Sequence, residues 1–298
     1  MKLDGVSTDD GGIEDLRGGG GASGGMGGFS LGKGGKIGIP TLIILVIGFF
    51  VSQAGGGGGG GTDITDVLGQ LQGQAPAAQE APAAPGGAKD AQYKFLAQVK
   101  NLLDDYWSTS FKESGQDFRE AGIRIFDAPV ATGGCGTGTP EAGPFYCPGD
   151  EKIYLDFAFY ERLEKQLGFN GDFALAYVVA HEYGHHIQNL LGINEEVRQR
   201  SEGASDAEAN AYSVKLELQA DCFAGVWAQS AFEGGRLSDG DLQEALGAAS
   251  AVGDDKIQEK TQGRVNQESF THGSAAQRQQ WFTTGYDSGD ASTCDTFS

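Results

Sequence analysis

Hydrophobic and polar positions alternate along this chain in ways that divide it into distinct regions. The first apolar run is Ile37-Gly38-Ile39-Pro40-Thr41-Leu42-Ile43-Ile44-Leu45-Val46-Ile47-Gly48-Phe49-Phe50-Val51, and with Ser52 to Ala54 it stays uncharged. At about eighteen residues it stands near the lower limit for crossing a bilayer. Lys33 and Lys36 precede it, so the pattern predicts an uncleaved transmembrane signal-anchor over 37–54, with the N-terminal side in the cytoplasm and the rest of the chain outside. A secretory signal cut near Ser52-Gln53-Ala54 is the alternative.

Beyond residue 90 the patterns are those of a folded domain. Tyr93, Phe95, Leu96, Val99, Leu102, Leu103 and Trp107 recur at helical spacing and mark an amphipathic helix. Gly122 to Phe126 and Lys152 to Asp156 alternate as strands do. A helix is expected over Phe157 to Leu167, stopped at Gly168. A second begins with Asp172 as N-cap, runs through the apolar stretch Phe173 to Ala180, and stops at Gly192. Residues 193 to 203 are polar and read as a loop, and Ala204 to Ala231 as a long helix. The expected class is α+β, mostly helical with a small sheet, over 91–298.

Composition sharpens the boundaries. Fifty of the 298 residues are Gly, more than half of them crowded into the first ninety positions. Residues 1–36 therefore read as a disordered Gly-rich cytoplasmic tail and 55–90 as a flexible Gly/Ala/Pro linker. The formal net charge is -20; such a surface repels phosphate backbones, which argues against nucleic acid as a partner. Four Cys, at 135, 147, 222 and 294, form no Cys-x-x-Cys pair. An even number suits disulfides outside the cytoplasm, with Cys135–Cys147 and Cys222–Cys294 the expected pairs.

The chemistry concentrates in His181-Glu182-Tyr183-Gly184-His185. Two His four residues apart share one face of a helix and offer half of a tetrahedral zinc site, with a carboxylate beside them to take a proton from water. The alternative is a buried helix whose His residues satisfy local hydrogen bonds. A catalytic zinc needs a third ligand. Glu217, among Leu216, Leu218, Ala220, Cys222 and Phe223, is the candidate, because an acid in such company is costly to bury alone. Asp221, four residues on, would then orient a ligand His. His186 points roughly 100° away around the helix and is not expected to be a ligand.

These residues resemble the gluzincin arrangement of thermolysin-like and membrane-bound peptidases. The wider wording resembles the family of neutral zinc metallopeptidases of bacteria, and does so over nearly the whole chain. The stretches that carry it are Gly143 to Asp150, Ile153 to Asp156, the His181 helix, Glu217 to Ala224, and His272-Gly273-Ser274. The resemblance implies a zincin-like domain after an N-terminal transmembrane helix, in which an edge strand aligns a peptide beside the active helix. The implied activity is that of a membrane-anchored zinc metalloendopeptidase acting on peptide or protein substrates. His181, His185 and Glu217 would hold Zn2+, with Glu182 as general base. His272, in Thr271-His272-Gly273-Ser274 with Arg278 nearby, would stabilise the oxyanion; a helix cap is the other reading of this segment, and Gly273 stands where membrane gluzincins usually carry Pro. Two rivals remain at this level: a catalytically silent zincin-fold binding or scaffold protein of the cell envelope, and a metal-dependent hydrolase of non-peptide substrates.

Overall fold

The structure is a computed structural model that describes residues 1–18, 91–158 and 171–298. The membrane segment expected over 37–54, the linker over 55–90 and most of the helix expected over Phe157 to Leu167 lie outside these residues. Among the described residues no helix is long and apolar enough to cross a membrane.

The domain is α+β. Helix α1 (Ala91–Glu113) buries Tyr93, Leu96, Val99, Leu103, Trp107 and Phe111, and the T-shaped contact of Trp107 with Phe223, 5.6 Å between centroids, joins it to the centre. The strands β1 (Ile13–Asp15), β2 (Gly122–Ile125), β5 (Phe145–Cys147) and β6 (Lys152–Leu155) form one sheet in the order β1-β2-β6-β5. The first three positions in that order run parallel, while β5 is antiparallel to β6. A small hairpin, β3 (Val130–Ala131) with β4 (Thr137–Gly138), stands apart. Cys135 and Cys147 are bonded, as are Cys222 and Cys294, so both expected pairs are present.

Two long helices form the centre. Helix α2 (Asp172–Leu190) is buried over most of its length and packs on α4 (Asp206–Glu233). Ser205 caps α4, accepting from the Glu208 backbone while the Glu208 side chain returns a bond to Ser205; this reciprocal pairing satisfies two otherwise orphaned groups. Helices α5 (Asp241–Ala251), α6 (Asp254–Gln262) and α7 (Ala275–Ser288) complete the domain, with α7 lying along α4.

Three expectations need correction. Residues 193 to 203 are largely helical, as α3 (Ile193–Ser201), because Glu195–Arg198 and Glu196–Arg200 pair along its exposed surface where no apolar stripe marks a helix. Asp172 is not the N-cap of α2; Gly171 is, and Asp172 begins the helix. The third concerns the tail expected to be disordered over 1–36: residues 1–18 are folded onto the domain. Strand β1 pairs in parallel with β2 through Ile13↔Ile123, Glu14↔Arg124 and Asp15↔Ile125. Gln98 donates to the carbonyls of Leu3 and Val6, and Asn101 to those of Ser7 and Asp9. The Met1 ammonium lies 2.7 Å from Asp172 Oδ1 and 3.2 Å from Asp241 Oδ2. This segment has too few apolar residues to announce itself; the partners that order it are far away in sequence.

Candidate metal centre

Close packing of α2 on α4 builds the site. A Cβ on Gly184 would stand 2.9 Å from the Ala220 carbonyl oxygen and 3.0 Å from Ala220 Cα, so only glycine lets the two helices approach this far. At that separation the His face of α2 meets Glu217, one turn before Asp221 on α4.

Glu217 joins the two histidines. Its Oε2 lies 3.2 Å from His181 Nε2 and its Oε1 3.4 Å from His185 Nε2. One donor atom from each of the three residues falls within a 4.8 Å span. Ligand atoms about 2.1 Å from a tetrahedrally held ion stand about 3.4 Å apart, so these separations fit zinc. Burial opposes ionisation of Glu217, yet the charges of His185 and His272 hold its carboxyl well below the usual range. That shift favours the anionic form, the form in which a carboxylate binds metal.

The outward nitrogens of both histidines are fixed. His181 Nδ1 lies 2.9 Å from Asp221 Oδ1; a carboxylate there makes Nδ1 a donor, so Nε2, whose proton faces Glu217 Oε2 at 3.2 Å when the ring is charged, is the nitrogen a metal would take in place of that proton. Burial works against a charge on His181, but the Asp221 carboxylate overrides it and raises the imidazole to about 9. Asp221 is itself held on several sides: Arg278 Nε donates to Oδ2 at 2.7 Å, Arg278 Nη2 to Oδ1 at 3.0 Å, and Tyr177 Oη to Oδ1 at 2.5 Å.

His185 has a different support, which the sequence did not reveal. Its Nδ1 lies 2.8 Å from Gln188 Oε1. Gln188 Nε2 donates to the Leu216 carbonyl at 2.7 Å, which settles the amide orientation, because a carbonyl accepts only from the NH2 end. Gln219 accepts from Gln188 at 3.1 Å and donates to the Cys294 carbonyl at 2.9 Å. A polar chain therefore runs from His185 to the second disulfide. Gln188 is three residues after His185 and Tyr177 four before His181, spacings that place each on its histidine's face; that was the available signal.

Glu182 is buried beside this cluster, and burial pushes its carboxyl up while the charges of His185 and His181 pull it down. His186 faces away, with Nδ1 3.0 Å from the Tyr146 hydroxyl of β5 and Nε2 2.7 Å from the Arg119 carbonyl. It ties α2 to the edge strand β5.

His272 is buried and close enough to Glu217 for their charges to interact. Asp254 organises its loop: Oδ2 accepts the backbone N–H groups of Thr271, His272 and Gly273 at 2.8, 2.6 and 3.0 Å, and Oδ1 lies 3.2 Å from His272 Nδ1. Burial resists protonation of His272, but Glu217 and Asp254 raise its pKa. Gly273 has φ +88° and donates its N–H, so proline, with its fixed negative φ and no donor, cannot form this loop. The other reading of the segment also has a place here, since Ser274 caps α7 and exchanges bonds with Gln277. Arg278, by contrast, lies behind Asp221 and not with His272.

The family described as "Putative neutral zinc metallopeptidase" matches residues 2–297 of the chain. Among curated proteins, the chain is 42% identical to protein YpfJ of Escherichia coli (strain K12) over 288 residues, covering 96% of this chain and 95% of that one. It is 52% identical over 187 residues to Mb2605 of Mycobacterium bovis and to Rv2575 of Mycobacterium tuberculosis, covering 59% of this chain and 62% of each of those. All three carry the description "uncharacterized". No solved structure matches the chain.

Proposed function

The chain belongs to the neutral zinc metallopeptidase family, and from that premise we propose that it is a zincin-like metalloendopeptidase whose Zn2+ is held by His181, His185 and Glu217. One observation carries the reading: both imidazole Nε2 atoms and both oxygens of a buried carboxylate converge at ligand spacing, with Glu182 alongside. Zinc bound there would polarise a peptide carbonyl and acidify water.

The protein's own groups supply the rest. Glu182, its basicity raised by burial, accepts the proton of the attacking water and returns it to the leaving amine. His272, biased toward its protonated form by Asp254 and Glu217, donates to the developing oxyanion. Asp221 and Gln188 hold the two ligand imidazoles in the required tautomer. Strand β5 ends the sheet on the side that packs against α2, which suits it to pair with an extended peptide and align it.

The same reading includes the setting. Two disulfides support an extracytoplasmic compartment, the apolar stretch 37–54 supports attachment to a membrane, and the net charge of -20 disfavours nucleic acid. The decisive test compares the full chain with Glu182→Gln, each loaded with zinc and incubated with an unbiased peptide library. Cleavage by the parent and none by the variant, with one equivalent of zinc in both, is expected. No cleavage by the zinc-loaded parent would instead support a metal-stabilised binding protein.

A further inference from the structure

Residues 1–18 and the metal-site domain hold each other through contacts too specific and too numerous to be incidental. Three rungs of β1 pair with β2. The carbonyl of Gly12 and the N–H of Leu16 continue that ladder at 2.8 and 2.9 Å, to Ile123 N–H and the Ile125 carbonyl. Glu14 lies between two cations, with Arg124 and Lys152 both 2.5 Å away. Gln98 and Asn101, one turn apart on α1, each bond two backbone carbonyls of the segment. Side-chain amides used in this way recognise a defined backbone path.

The docked segment also covers charge beneath the active helix. Gly12 passes over the end of Lys100, where an added Cβ would lie 3.5 Å from Lys100 Cε. Lys100 donates to Asp104 at 2.5 Å, and Asp104 accepts from the Tyr183 hydroxyl at 2.6 Å. Tyr183 is the third residue of the His181-to-His185 motif. The buried pair therefore joins the segment's floor to the helix that presents the histidines, and uncovering it would hydrate a charge network that supports that helix.

Position along the chain gives this docking a consequence. The apolar stretch 37–54 lies between residue 18 and residue 91. A single helical crossing there would separate the two partners by about 30 Å of hydrocarbon, whereas hydrogen bonds and a β ladder require them in contact. Two crossings would need about forty apolar residues, more than that stretch contains. We infer that residues 1–18 and the metal-site domain occupy the same compartment, contrary to the expectation that the N-terminal side lies in the cytoplasm and the rest of the chain outside.

This inference is independent of the proposed peptidase activity, and two experiments on the full chain test it. In the first, Thr8→Cys and Val265→Cys, both at exposed positions, are probed separately in intact cells with a membrane-impermeant maleimide, then again after permeabilisation. Equal labelling of the two at each stage is expected; labelling of one only after permeabilisation, with the other labelled before it, overturns the inference. In the second, a specific protease site is placed in the Gly55 to Gly61 run and the purified protein is cut in detergent. The N-terminal fragment should remain bound to the domain until denaturant is added, and a Glu14→Lys version, which sets a third cation beside Arg124 and Lys152, should lose it. Release of the unmodified fragment under native conditions overturns the inference.

Discussion

Gln188 stands to His185 as Asp221 stands to His181: each holds the imidazole nitrogen that faces away from Glu217, at 2.8 Å and 2.9 Å. One support is neutral and on the same helix, the other charged and on the opposite helix. Losing an outer partner of a metal-bound histidine typically costs 10- to 100-fold in affinity. Gln188→Leu is expected to weaken zinc binding by about that factor, measured by competition with a chelator of known affinity. An unchanged affinity would mean that packing alone orients His185.

Arg278 neutralises Asp221 at the bottom of the site, with both side chains almost wholly buried. Removing one member of a buried pair leaves the other uncompensated and costs about 3–5 kcal/mol. Arg278→Met should therefore lower stability by that order in denaturant titration. Arg278→Met combined with Asp221→Asn should recover part of the loss, because the stranded charge is gone. A double variant no more stable than the single one would show that the pair acts mainly through shape.

Gly184 sets the distance between α2 and α4. An alanine methyl there would press on Ala220 backbone atoms, which cannot rotate away as a side chain could. Gly184→Ala should destabilise the protein by about 1–3 kcal/mol and reduce zinc binding by drawing Glu217 away from the histidines. Full zinc stoichiometry at parental affinity would contradict the claim that this approach builds the site.

Zinc binding should stabilise the fold, because the site's donors come from two helices and exist as a cluster only in the native state. Free zinc at a thousandfold excess over its dissociation constant adds about 4 kcal/mol. The melting temperature is expected to rise with zinc and to fall on chelation, and the shift should shrink in Glu217→Gln. An equal shift in that variant would assign the stabilising ion to another place.

The disulfide Cys222–Cys294 spans 72 positions of sequence, and a loop of that length corresponds to about 4 kcal/mol in the chain-entropy account. Replacing both residues by Ala should lower stability by up to that amount. Gln219 bonds the Cys294 carbonyl and Gln188, so the double variant should also weaken zinc binding slightly, whereas replacing Cys135 and Cys147 should leave it unaltered. Equal effects of the two bridges on zinc affinity would refute the polar chain as the link.

Much of this protein was decided locally and could be read in the sequence. His181, Glu182 and His185 share a helix, so their relation follows from 3.6 residues per turn, and the same periodicity joins Glu217 to Asp221. The stripe of α1 and the alternation of β2 and β6 are equally local, and so are the apolar surroundings that singled out Glu217. What only the tertiary structure decided is how separate elements meet. The depth to which α2 and α4 approach at Gly184, the placing of Arg278 under Asp221, and the Asp254 carboxylate gathering three N–H groups around His272 all depend on contacts between distant parts of the chain. The same holds for the order of residues 1–18, a polar segment with little apolar surface of its own. Its structure comes from the exposed edge of β2 and from Gln98 and Asn101, and no periodicity within those eighteen residues encodes a partner eighty or more positions away.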